Sequence, residues 1–184
     1  MRTRGIARSA CALGLSGVLL TGLVGCGGSR PPVRSEMPPG ASIAALHPPV
    51  DFSFQSVDDR PVTADATRGK PTVIVFVTTS SLSAQAQVDY FVAMAKHDGD
   101  IVNYLAVALE GNDSAEIVSL YAKALAIPFP VALADPRTLV GASAFGDVSA
   151  VPVTVLLDRA GRIAWRADGR VVKSEEMRAA MRGL

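Results

Sequence analysis

The chain has 184 residues, 49% of them hydrophobic and only 5% aromatic, with 18 Lys and Arg against 17 Asp and Glu. Setting aside the cations Arg2, Arg4 and Arg8, the rest carries 15 basic against 17 acidic residues and no basic stripe, which leaves nucleic-acid binding without an electrostatic footing. Both cysteines, Cys11 and Cys26, also fall early, so nothing after residue 26 bears a thiol.

The three arginines and the charge-free stretch Ala10 to Val24 form the n-region and h-region of a secretory signal. The stretch ends in Leu23-Val24-Gly25-Cys26. That tetrapeptide resembles the lipobox of bacterial lipoproteins, which implies a signal peptide over residues 1–25 and acylation of Cys26. Two other readings stay open, an ordinary secretory signal with an incidental cysteine and a membrane anchor. Against the anchor, the uncharged run is short of the roughly 20 residues that span a bilayer. Two or three acyl chains on one cysteine hold a protein stably on a membrane. Gly27 stands where an aspartate would mark inner-membrane retention, so the expected location is the outer membrane, facing the periplasm. Residues 26–49 then form a linker holding half of the chain's prolines, and His47 in it is expected to be solvated. In polyproline geometry, at about 3.1 Å per residue, the linker reaches about 70 Å.

About 135 residues, 50–184, remain for one domain. Phe52 to Gln55 predicts a short strand, Asp58-Asp59-Arg60-Pro61 its turn, and Gly69-Lys70-Pro71 a break. Thr72 to Val77 is a continuous β-branched and aromatic run, the pattern of a strand buried on both faces. Ala84, Val88, Phe91 and Ala95 recur at helical spacing to about Lys96, with His97 expected as a cation near that helix's C-terminus. Ile101 to Leu109 predicts a second buried strand. Asp113 with Glu116 reads as a capping box for a helix whose inward face is Ile117, Leu120, Tyr121 and Ala124. Asp135-Pro136 supplies a cap and a first-turn proline. Val153 to Leu157, the turn Asp158-Arg159-Ala160-Gly161 and Arg162 to Trp165 make a hairpin, in which Trp165 is expected as a buried anchor. Ser174 is read as the cap of a last helix that turns Met177, Ala180, Met181 and Leu184 inward. Alternating strands and helices ending in a hairpin imply an α/β fold, a mixed central sheet with helices on both faces.

Three segments in this order resemble the thioredoxin-like TlpA family of membrane-tethered periplasmic disulfide oxidoreductases, and more distantly the peroxiredoxins. They are Gly69-Lys70-Pro71 with the strand through Phe76, Ile127-Pro128-Phe129-Pro130-Val131, and Val151-Pro152 through Asp158-Arg159-Ala160-Gly161-Arg162-Ile163. The last resembles the family segment whose proline is cis. The resemblance implies a thioredoxin-like fold, and it places Ser81 and Ala84, with Leu82 and Ser83 between them, where the family carries its two cysteines. Gln87 falls where the family often has a glutamate.

Disulfide exchange needs a thiolate attacker and a sulfur target, which serine and alanine cannot become. Peroxidatic and copper-chaperone chemistry would likewise need cysteine here. Ser81 as a hydrolytic nucleophile would need a base within about 3 Å. The domain's histidine, His97, stands at the far end of the same helix, about 24 Å away. The expectation is therefore a lipid-anchored envelope module with no catalytic residue, cofactor or metal. Two roles remain for Ser81, Leu82, Ser83, Ala84, Val151 and Pro152: a polar loop and helix cap that merely keep the fold, or a groove for an extended peptide or envelope protein. The alternative is the thiol-disulfide oxidoreductase or peroxiredoxin-type enzyme that the family implies.

Overall fold

A computed structural model describes residues 48–184 of the chain. The signal segment 1–25, Cys26 and the linker through His47 lie outside the described residues. The strands are β1 (Ser53–Ser56), β2 (Val62–Thr63), β3 (Thr72–Val77), β4 (Asn103–Ala108), β5 (Val131–Leu133), β6 (Val153–Leu157) and β7 (Ile163–Ala167). The helices are α1 (Ala64–Thr67), α2 (Leu82–Asp98), α3 (Ala115–Ala124), α4 (Pro136–Leu139) and α5 (Ser174–Met181). Among the described residues no helix is long and apolar enough to cross a membrane.

One seven-stranded sheet runs in the order β2-β1-β5-β4-β3-β6-β7. It is mixed: β3, β4 and β5 are parallel, and the remaining pairings are antiparallel. The uninterrupted Val-Ile-Val-Phe-Val run makes β3 the centre, since a strand with no polar face must be covered twice, and all six of its residues are buried. On one face Val73, Val75 and Val77 meet Val88 and Phe91 of α2, Val118 of α3 and Met177 of α5. On the other, Ile74 and Phe76 meet Ala64 of α1 and the segment after α4 through Phe145 and Val148. Four of the six phenylalanines, Phe52, Phe54, Phe76 and Phe145, gather there with centroids 5.2–6.2 Å apart. Sparse aromatic content is thus concentrated where it seats the chain leading into β6.

The hairpin turn after β6 follows from Asp158 and Gly161. The Asp158 carboxylate accepts from Ala160 N at 2.9 Å and Arg162 N at 2.8 Å, and Gly161 takes φ +80°, open to glycine without a Cβ penalty. Asp135 caps α4 as expected, its Oδ1 accepting from Thr138 N at 2.7 Å.

Four expectations need correction. A 3₁₀ turn over Asn112–Ser114 precedes α3, so Ser114, not Asp113, occupies the cap position, and Asp113 takes the Ser114 hydroxyl instead. That one-residue delay turns the helix by about 100°. Val118 is buried and Ala115, Ala122 and Leu125 pack on the core, while Ile117 and Leu120 stand 58% exposed and Ala124 is exposed. Ser174 is the first residue of α5 rather than its cap; Lys173 holds that position with no side-chain bond. Strand β4 begins at Asn103, leaving Ile101 68% exposed. Trp165 is half-buried rather than buried, packed at the margin of the core around Met177.

Candidate functional site

Phe76 pairs with Val153 in antiparallel register, so the connection leaving β3 and the connection entering β6 lie at the same edge of the sheet. This brings the Ser81 loop to the side of Val151-Pro152, and the peptide bond between Val151 and Pro152 is cis. The six residues singled out from the sequence are therefore on one pole of the domain. The ends of β4 and β5 reach the same pole, because both run parallel to β3.

Ser81 is the N-cap of α2, with φ −90° and ψ 117°. Its Oγ accepts from Ala84 N at 3.2 Å and lies 3.0 Å from Ser83 Oγ, so the hydroxyl's lone pairs serve the helix end. Ala84 points its methyl into the core and is fully buried, whereas Leu82 is 83% exposed. Val151 N donates to Ser149 O at 3.1 Å and Gly169 N to Pro152 O at 3.0 Å; the Val151 carbonyl accepts no hydrogen bond among the described residues. Extending apolar side chains around this pole are Leu82, Ile117 in the first turn of α3, and Leu139 and Val140 after β5, with Val140 80% exposed.

Three residues that sequence reasoning passed over or left without a role hold the pole in shape. Gln87 is fully buried and bonds the Val172 backbone both ways: Nε2 donates to Val172 O at 3.1 Å, and Val172 N donates to Oε1. Glu110, just past β4, accepts from Thr79 N at 2.7 Å and Thr79 Oγ1 at 3.0 Å, pinning the loop before Ser81. Arg166 on β7 donates to Phe145 O, Asp147 O and the Asp168 carboxylate, bracing the segment that delivers Val151. Glutamine at a buried helical position was the one legible signal, since an amide there must find both a donor and an acceptor. Glu110 and Arg166 carry no sequence pattern that sets them apart. Below the loop, burial, with Asp89 and Glu110 adding to it, pushes the Tyr121 hydroxyl up to about 12, so it stays protonated at neutral pH.

Ser81 has no imidazole or carboxylate among its hydrogen-bond partners, and exposed His97 lies in the last turn of α2. The pole offers hydrogen-bonding backbone and exposed apolar side chains. Among the described residues it pairs no nucleophile with a base.

No family model matches the chain, and no curated protein matches it. Solved structures do. A DsbF homologue from Corynebacterium diphtheriae superposes with TM-score 0.62 at 18% identity, over 74% of this chain and 86% of that one. A thiol:disulfide interchange protein of the thioredoxin family from Chlorobium tepidum gives 0.60 at 21%, over 73% and 92%. A thio-disulfide isomerase from Thermus thermophilus gives 0.59 at 29%, over 73% and 92%. With the sheet order and the cis proline, these likenesses show that the domain has a thioredoxin-like fold.

Proposed function

We propose that this is a lipid-anchored cell-envelope protein whose thioredoxin-like domain, its redox cysteines replaced, works as a non-catalytic binding module for an extended peptide segment. The observation that carries the reading is what occupies the two key positions. Ser81 commits its hydroxyl to capping α2, and Ala84 gives only a methyl to the core. Behind them, the buried Gln87 amide is engaged in both directions by the Val172 backbone, so that place holds a neutral amide rather than a group that can exchange a proton. Thiol exchange needs a thiolate and a sulfur leaving group, and neither residue can supply one.

What remains suits binding. The Val151 carbonyl can accept from a strand laid beside it, and Leu82 and Val140 can take apolar side chains of that strand. The tether at Cys26, and with it the placement on the outer membrane facing the periplasm, rests on the leader and lipobox pattern. The competing reading, a thiol-disulfide oxidoreductase or peroxiredoxin-type enzyme, draws on the names of the structural neighbours and is opposed by these residues.

The test uses the purified acylated protein in detergent. Insulin reduction and hydroperoxide consumption should stay at background, while extended apolar peptides should shift the backbone amide resonances of residues 81–84, 151 and 153. Turnover at rates typical of oxidoreductases overturns the reading, as does peptide binding that leaves those resonances in place.

A further inference from the structure

The described chain begins beside the segment that leads to the proposed groove. Pro48 and Pro49, with Val50, Asp51, Ala144 and Ile163, line a cavity of about 350 Å³, and Val50 N donates to Gly161 O at 2.8 Å, which fixes where the chain enters the domain. From that cavity towards the Ser81 pole the surface stays apolar. Ala144, Ala142, Val140 and Leu139 are all exposed, and no residue from Thr138 to Gly146 carries a charge. Contiguous apolar surface of this kind marks a place where something docks.

Immediately before Pro48 the sequence carries a stretch of matching character. Residues 40–47, Gly-Ala-Ser-Ile-Ala-Ala-Leu-His, stand between Pro38-Pro39 and Pro48-Pro49 and hold no proline and no Lys, Arg, Asp or Glu. Every residue of the stretch therefore has a backbone N–H to donate, which the proline pairs lack. The other proline-free pieces of the linker are charged: residues 26–30 include Arg30, and residues 33–37 include Arg34 and Glu36. Length permits the meeting. Ala144 and Val140 are four residues apart, which bounds their separation at about 14 Å, whereas the seven residues from Pro48 back to Ala41 extend to about 24 Å.

We propose that residues 41–46 of this chain lie along Leu139, Val140 and Ala142 as an internal occupant of the groove, which an outside peptide must displace. The inference rests on the peptide-module reading and deepens it, because it names a segment that the groove holds and the way access to the groove is set. Joined to the domain through Pro48, the segment is present at an effective concentration of about 1 mM. Against a dissociation constant of about 0.1 mM for so short a peptide, the groove is closed about nine-tenths of the time, and an outside peptide binds about tenfold more weakly than it would to an empty groove.

The test uses the purified acylated protein in detergent. Ala44→Cys with Ala142→Cys should form a disulfide within one molecule under mild oxidation. Adding Ile43→Ser and Leu46→Ser should slow that disulfide about tenfold, although the tether is no shorter. Equal rates with and without the serine substitutions would mean that reach alone joins the two sites, and overturn the inference. A disulfide formed between molecules assigns the patch to a second copy and overturns it as well. In a separate titration, a synthetic peptide of residues 40–47 should move the amide resonances of residues 139–142, and it should bind the Ile43→Ser, Leu46→Ser variant about tenfold more tightly than the parent. Equal affinity for the two, at those resonances, refutes the internal occupant and keeps the peptide module. A disulfide that depends on Ile43 and Leu46, in a protein whose resonances no outside peptide moves, keeps the internal contact and refutes the module.

Discussion

Replacing Gln87 by Glu is the sharpest probe of the thioredoxin-like core, because the change is one atom group and the surroundings are fully closed. The Gln87 amide gives a proton to Val172 O and takes one from Val172 N, with both residues inaccessible to water. A carboxylate can accept from Val172 N but sets a second anionic oxygen against the Val172 carbonyl; only the protonated acid reproduces the amide's pattern. Burial and the carbonyl both favour that neutral form, so the folded-state pKa must rise above the unfolded value of about 4.3. Below about pH 4 the variant is protonated folded or unfolded and should sit close to the parent. Above it, stability falls by about 1.4 kcal/mol per pH unit until the raised folded pKa is reached. A rise of about 3 units, ordinary for a fully buried carboxyl, costs about 4 kcal/mol at neutral pH, a large part of the roughly 5–15 kcal/mol that holds a domain. Gln87→Leu is the control: it orphans both Val172 backbone groups at about 1–3 kcal/mol each, offset in part by removing a buried amide, with no dependence on pH. Urea unfolding followed at pH 4, 5.5 and 7.5 separates the two. A Gln87→Glu deficit that is equal at pH 4 and pH 7.5 would refute the reasoning.

Ser81→Cys with Ala84→Cys should form an intramolecular disulfide under mild oxidation, and Ser81→Cys alone should titrate below the ordinary thiol value of about 8.5 because the α2 N-terminus favours the thiolate; thiol alkylation against pH checks both, and a double variant that stays reduced would disprove the alignment of this loop. Ser81→Ala should lose about 1 kcal/mol of stability by leaving Ala84 N without its cap, read as a lower denaturation midpoint at unchanged slope. Burial pushes the Asp58 carboxyl up, but hydrogen bonds from Arg60 and Ser56 outweigh it and hold the group below its usual value. Its contribution is therefore present above the unfolded pKa and lost as pH falls through the lower folded one. Asp58→Asn should cost up to about 1 kcal/mol at pH 7, and the gap from the parent should close below about pH 3; a gap that persists there argues against the assignment.

The elements that sequence reading located well are those whose cause is local. Strand β3 begins and ends where its β-branched run does, because a stretch with no polar face has one place to go. Asp135-Pro136 and Asp158 through Gly161 act through bonds that span two to four residues, so their spacing carries their geometry. The reading failed where a one-residue choice had long-range consequences. The pattern Asp113 with Glu116 starts α3 one residue too early, and it is Val118 rather than Ile117 that meets the core. Nothing within the segment makes that choice; the sheet does.

The sequence by itself determined that no thiol follows Cys26, whatever the chain does, and it determined the order of strands and helices through side-chain periodicity. Only the tertiary structure decided that Gln87 answers Val172 across 85 residues and that Arg166 carries the loop to the cis proline. Those are meetings between distant parts of the chain. Local propensity cannot encode them, because they exist only once the buried sheet has fixed which ends of its strands lie side by side.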